Sequence, residues 1–255
     1  MNIQCILALI IAGCAALGGA SAQETLDDVQ RKLIATVEKH RTWRYRFEND
    51  NMLDGPRWWE HIEGTVEYER LDGGGYLYRT ERRFRSYKKD DDGREHKLEG
   101  EFTAVCDGRN IYNYQVINNE RRAMRLDLNA FPNPCDYRAM FEAQRAAGTM
   151  RLLPDETIDG QPTYVIESVP NDRRNSGAAR TVWYFAKSHG MTIKNVTEDI
   201  LGTPTVTATA TDFQFDIDIP RSRFEFKAPH GVEIVDGNNP NPPPTTQPVT
   251  TQPSR

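Results

Sequence analysis

The strongest constraint on the fold lies in Thr205–Phe215, where Val206, Ala208 and Ala210 alternate with Thr207, Thr209 and Thr211. Alternation with period 2 gives a strand one apolar and one polar face, so it must lie over a core with its back to water. Two β-rich runs precede it, Thr181–Ala186 and Met191–Thr197. Lys187-Ser188-His189-Gly190 joins them as a short hairpin loop, and Leu201-Gly202-Thr203-Pro204 leads into the alternating run. Strands joined by turns this short pair antiparallel.

The first half of the chain follows the same grammar. Trp43, Tyr45 and Phe47 alternate with Arg44, Arg46 and Glu48; Ile62, Gly64, Val66 and Tyr68 alternate with His61, Glu63, Thr65 and Glu67. Asp72-Gly73-Gly74-Gly75 turns the chain into the strand Tyr76–Tyr87, and Lys88–Gly93 turns it again. Glu99–Cys106, Asn110–Ile117 and Arg121–Leu128 follow, with Asp107-Gly108 as a hairpin turn. Met150–Thr157 and Pro162–Val169 flank Asp159-Gly160. The pattern predicts about ten strands.

Two helices interrupt the strands. Thr25 with Asp28 makes a capping box, and Leu26, Val29, Leu33 and Val37 form an apolar stripe that should end near His40. Asn133 as N-cap, Pro134 at the first position, Asp136 in the first turn and Gly148 after the end frame the second helix. Antiparallel sheets usually bury only one face. The expected class is therefore α+β: a strongly curved antiparallel sheet, an incomplete barrel, with a helical lid.

Residues 1–22 read as a signal segment. Ile6–Leu17 is an apolar stretch too short to span a bilayer comfortably, and Ala20-Ser21-Ala22 places cleavage between Ala22 and Gln23. Ile11-Ala12-Gly13-Cys14 also has the form of a lipobox, which would lipidate Cys14 and anchor the protein; both readings export it. The Pro-, Thr- and Gln-rich segment 238–255 cannot bury a core and reads as a disordered tail, leaving 23–237 as one domain. In an oxidising compartment Cys106 and Cys135 are expected to form a disulfide, with two buried free thiols as the alternative.

A net charge of −5 argues against a nucleic-acid partner. The five histidines are isolated, Ser188-His189 lacks a GxSxG context, and Asp90-Asp91-Asp92 lacks the alternate ligand spacing of a calcium loop. No catalytic residue, metal or cofactor is expected. The basic run Arg79, Arg82, Arg83, Arg85, Lys88, Lys89 runs straight into those aspartates and reads as a solvated hairpin.

Residues 25–236 resemble the LolA/LolB-type carriers that sort lipoproteins to the outer membrane. Phe224-Glu225-Phe226-Lys227-Ala228-Pro229-His230-Gly231-Val232 looks like that family's closing FxFxxPxGV signature. Asp107-Gly108 before Tyr112 and Tyr114 matches its DG-turn hairpin, and Gly64 with Arg70 six residues on matches its Gly-to-Arg spacing. The family's Pro after that Arg is Leu71 here. The resemblance implies a hydrophobic face that holds lipoprotein acyl chains in the periplasm without chemistry. It also implies that Arg70 holds the lid closed. Membrane donor and acceptor proteins and a monomeric state go with it; a sensor or scaffold of the same shape is the alternative.

The residues make a case of their own. Trp43, Tyr45 and Phe47, with Ile62, Val66 and Tyr68 on the neighbouring strand, share a face that could line an acyl-chain cavity. Each buried CH₂ would contribute about 0.8 kcal/mol. The alternative is that these six are ordinary core beneath the helices. Arg70 shares their face, either as a latch or headgroup contact or as a rim-exposed strand end.

Overall fold

The computed structural model describes residues 24–128, 133–172 and 178–238, the side chains of residues 53–56 apart. Cys14, Ala22, Gln23 and the segment beyond Asn238 lie outside the described residues.

Helix α1 (Leu26–Val37) starts where the capping box places it. Thr25 Oγ1 accepts from the Asp28 amide at 3.2 Å, and the Asp28 carboxylate accepts from the Thr25 amide at 3.2 Å. Strands β1 (Thr42–Pro56), β2 (Trp58–Arg70), β3 (Tyr76–Lys89), β4 (Glu95–Cys106), β5 (Asn110–Ile117) and β6 (Glu120–Asp127) form a meander. Helix α2 (Tyr137–Ala147) comes next. The chain continues through β7 (Gly148–Ile158), β8 (Gln161–Pro170), β9 (Arg180–Ala186), β10 (Thr192–Glu198) and β11 (Pro204–Phe215), and β12 (Ile234–Asp236) ends it.

All twelve strands form one open, curved sheet in the order β12-β6-β5-β4-β3-β2-β1-β11-β10-β9-β8-β7. β11 returns to pair with β1, so the C-terminal strands dock beside the N-terminal ones. The expected α+β sheet with two helices is found, with two differences. The described residues form twelve strands rather than about ten, and β12 runs parallel to β6. Three residues are too few for a period to show.

The second helix begins later than expected. Asp136, not Asn133, is its N-cap and accepts from the Ala139 amide at 3.0 Å. Asn133 is spent elsewhere: its Nδ2 donates to Tyr68 Oη at 3.0 Å, and its Oδ1 accepts from the Cys135 amide at 3.0 Å. Gly148 follows the helix but is extended, with φ −171°, and opens β7.

Both helices lie on one face of the sheet, termed inner here. Val29 and Leu33 of α1 and Phe141 of α2 pack with Ile166 and Phe185 of β8 and β9. A second cluster joins Val37 at the end of α1 to Trp43, Tyr68, Tyr76, Cys106 and Met191. On the outer face Leu77 is covered by Ile219 and Phe224, so the FxF segment straps the back of the sheet and is not a strand of it. Gly64 is required where β2 and β3 approach most closely: a Cβ there would run into the Glu81 carbonyl and lie 3.0 Å from Arg82 Cα.

Candidate functional site

Register decides which predicted residues meet. Trp43 is opposite Tyr68, Tyr45 opposite Val66, Phe47 opposite Gly64 and Asn49 opposite Ile62. Residues directly opposite share a face. Trp43, Tyr45, Phe47, Ile62, Val66 and Tyr68 therefore lie together on the inner face, as the alternation implies.

Their environments differ. Trp43, Tyr68 and Val66 are 0%, 1% and 4% exposed, so this end is filled by the protein's own side chains. Trp43 stacks on Tyr68 at 4.1 Å between ring centroids, and Tyr68 on Tyr76 at 5.9 Å. Tyr45, Phe47 and Ile62, farther along, are half-buried. Tyr45 stacks on Phe213 at 5.1 Å.

Several residues of this floor were not singled out from sequence: Tyr76, Tyr78, Phe213, Phe215 and Met191. Tyr137 of α2 ties the lid to β10, its Oη accepting from the Thr192 amide at 3.0 Å. Burial pushes the Tyr45 phenol well up, and the Tyr78 and Tyr137 phenols up to about 12. All three stay neutral in any physiological medium. These phenols thus bring hydroxyls but no charge to the floor.

Three polar atoms of the inner face find no nitrogen or oxygen partner among the described residues: the donors Trp43 Nε1 and Tyr76 Oη, and the acceptor Asn49 Oδ1. The Cys135 sulfur lies beside the indole N–H, but a thiol is a weak acceptor. A buried donor left unpaired costs about 1–3 kcal/mol. Native proteins leave few such groups, and each is a place where water or a ligand can complete the structure.

Arg70 reaches the C-terminal end of α1. Its Nη1 donates to the carbonyl of Glu38 at 2.6 Å, and Glu38 is the C-cap of α1. The last carbonyls of a helix lack intrahelical partners and carry the negative end of the dipole, so a guanidinium there is favourable. The same guanidinium lies 6.0 Å from the Trp43 ring. Beside it, an open cleft of about 470 Å³ is lined by the apolar Ile34, Val37, Tyr68, Cys135 and Tyr137 and by the polar Glu38, Arg70, Asn133, Asp136 and Arg138. Drug-sized ligands occupy pockets of about this volume.

Cys106 and Cys135 stand as free thiols, against the expected disulfide. Cys106 Sγ points to the Tyr76 carbonyl at 3.6 Å, and Cys135 packs against the aromatic cluster. Burial raises both thiols, Cys135 to about 12, which leaves neither a nucleophile at neutral pH.

His189, read from sequence only as a turn residue, caps the other side of the floor. Its ring lies 4.7 Å from Phe213 and 5.0 Å from Phe215, and its Nδ1 accepts from the Met191 amide at 3.2 Å. Burial, and then the neighbouring His40, push its pKa down to about 4. The unfolded chain binds this proton near pH 6.5, but the folded one only near 4, so stability falls as pH drops through that window. The expected loss between about pH 6.5 and 4.5 is on the order of 2 kcal/mol, allowing for partial exposure of the ring. Urea midpoints measured across the window should fall more steeply in the wild type than in His189→Gln, where only the carboxylates still contribute a fall.

The outer face is polar. Glu67, 3% exposed, accepts from Arg44 and Arg223. Glu167, 1% exposed, has its pKa held down by Arg151 and Arg180. Of the basic run, Arg79 and Arg83 pair with Glu81 and Glu101, as a solvated hairpin would. Arg82 instead turns onto the inner face, 4.0 Å from the Phe102 ring. No group of three or more potential metal ligands occurs among the described residues.

No family model matches this chain, and neither does any curated protein. Among solved structures it is similar to an uncharacterised conserved protein from Thermus thermophilus (12% identity, 80% of this chain and 98% of that one, TM-score 0.49). It is similar also to a LolA superfamily protein from Nitrosomonas europaea (11% identity, 80% and 99%, TM-score 0.30). A third is a chain of the Pseudomonas aeruginosa MucA/MucB complex (11% identity, 78% and 61%, TM-score 0.39). LolA superfamily proteins, the family resembled in sequence, are thus among the structural neighbours. Likenesses this weak do not decide an activity, which has to be argued from the site.

Proposed function

We propose that this is an exported binding protein that holds the acyl chain of a lipid or lipoprotein between its helical lid and the aromatic inner face, without covalent chemistry. Residues 23–237 would act as one carrier unit in the periplasm, after removal of residues 1–22 or anchoring through a lipidated Cys14. The observation that carries the reading is the pair of unsatisfied buried donors, Trp43 Nε1 and Tyr76 Oη, in the aromatic floor. An acyl ester or amide carbonyl that reached either donor would accept from it while its chain covers the rings.

The mechanism follows from the latch. With Arg70 on Glu38 the lid is closed and Trp43 and Tyr68 fill the floor. Releasing that bond lets the end of α1 lift, widening the cleft lined by Ile34, Val37, Tyr68 and Tyr137. Acyl chains then replace side-chain contacts, and an acceptor takes the cargo when the lid reopens. A second reading, a scaffold or sensor acting through protein contacts, draws on the filled state of this same floor.

Native mass spectrometry of protein purified from cells without detergent separates the two. The carrier reading expects adducts of acyl-lipid mass on the wild type, and a changed fraction loaded in Arg70→Leu. Bare protein in both would leave only the scaffold.

A further inference from the structure

Most large apolar side chains exposed among the described residues gather at one end of the sheet. Ile200 and Leu201, 75% and 84% exposed, form the tip of the β10–β11 hairpin. Trp58 and Trp59, each 37% exposed, stand where β2 leaves the β1–β2 turn. β11 lies beside β1, with Val206 opposite Asn51, and Trp58 is opposite Lys88 just before the β3–β4 turn. The three tips are therefore neighbours along one rim.

The rim is built to present these groups. Asp199 Oδ1 accepts from the Leu201 and Thr203 amides at 2.8 and 2.9 Å, and the Gly202 amide donates to the Asp199 carbonyl at 3.1 Å. Gly202 takes the left-handed φ of +80° that this tight turn requires. Two aliphatic side chains are thus held out in water by an ordered turn.

Charge around the tryptophans is also sorted. On the β3–β4 turn Asp90 pairs with His96, Asp91 with Arg57 and Asp92 with Arg94. Among the described residues Lys88 and Lys89 have no carboxylate partner, and Lys88 Nζ sits 5.3 Å from the Trp58 ring. Tryptophan seeks the boundary between headgroup and hydrocarbon, where its ring is apolar on one side and its N–H stays wet. Lysines beside it match lipid phosphates.

We infer that this rim docks on an anionic membrane surface, with Ile200 and Leu201 entering the acyl region and Trp58, Trp59, Lys88 and Lys89 at headgroup level. It goes beyond the acyl-binding reading and stands without it, since the rim lies away from the Arg70 latch and no residue is shared.

The test uses the full chain with mixed phosphatidylglycerol–phosphatidylcholine vesicles and with pure phosphatidylcholine vesicles, read by co-sedimentation and by quenching of tryptophan emission with brominated lipid. The expected result is binding that favours the mixed vesicles. Ile200→Ser with Leu201→Ser should weaken it by roughly tenfold per side chain, and Lys88→Gln with Lys89→Gln should remove the preference for anionic lipid. Absence of binding to either vesicle, or binding that the Ile200→Ser/Leu201→Ser variant retains in full, would overturn the inference. These side chains are exposed, so the melting temperature should not move and a folding defect cannot stand in for lost binding.

Discussion

Trp43→Ala should be the most damaging single truncation in the molecule. The indole is fully buried, stacked on Tyr68 at 4.1 Å and packed in the cluster that joins α1 to the sheet. Removing a core tryptophan costs about 3–5 kcal/mol, transfer and cavity terms together. Native domains have about 5–15 kcal/mol in hand, so the variant should stay folded in the cold with a greatly lowered urea midpoint. Its second consequence bears on function. The void would open in the floor next to the cleft, lined by Tyr68, Tyr76 and Val37, and an apolar void of that kind stays dry and takes up small hydrophobic molecules. A detergent or fatty acid should therefore raise the variant's melting temperature more than the wild type's. A variant with wild-type stability would show that Trp43 is not part of the packed floor.

The parts of the structure that were legible in the sequence are those where one local rule acts alone. Thr25 and Asp28 cap α1 because both halves of the box are next to each other in the chain. Trp43, Tyr45, Phe47, Ile62, Val66 and Tyr68 share a face because β1 and β2 pair without a break from Thr42 to Met52. Where two rules compete, the pattern misleads. Val206, Ala208 and Ala210 continue on the inner face as Phe213 and Phe215, one residue out of phase, because Asp212 adopts φ +55° and the register against β1 shifts between Arg44 and Arg46. A bulge of that kind flips the face of everything after it. In β3, Tyr76 and Tyr78 share the inner face with Arg82, and a charge in the apolar series conceals the stripe. Asn133 has the chemistry of an N-cap but is claimed by Tyr68 from a different element, which no local window contains. The free thiols have the same cause: Cys106 and Cys135 look like a pair only while their other neighbours are unknown.

The long-range half of the candidate site was legible only through resemblance. Arg70 and Glu38 are far apart in the chain, and spacing alone says nothing of a bond between them. The structure supplies the bond, and with it a physical reason for an arginine at the end of β2: it satisfies a helix-end carbonyl that would otherwise lack an intrahelical partner. Whether that contact is only a cap or also a latch is what cargo retention in Arg70→Leu distinguishes.

Glu67→Gln is expected to have the second-largest effect, and it acts from the opposite face. The Glu67 carboxylate is 3% exposed, accepts from Arg44 at 2.9 and 2.6 Å, and accepts from Arg223 at 2.8 Å. Arg223 belongs to the 3₁₀ turn Arg221–Phe224, and its carbonyl accepts from Arg79 at 3.1 Å. Glu67 is thus the buried one of two carboxylates that hold the strap covering Leu77, since Arg223 also donates to Glu81 at 3.3 Å. Breaking a buried ion pair by removing one partner costs about 3–5 kcal/mol when both charges are out of water. Here the two arginine side chains are 39% and 37% exposed, so water takes up part of the loss and about 2–3 kcal/mol is expected. The amide keeps the shape and one acceptor, which separates charge from packing. Hydrogen exchange should show the effect locally: amides around Phe224 should lose protection while those of α1 and β8 keep theirs. Uniform loss of protection would mean that Glu67 supports the whole sheet, and unchanged exchange at Phe224 would mean that the strap is held without Glu67, by Glu81, Arg79 and the apolar contact with Leu77 and Ile219.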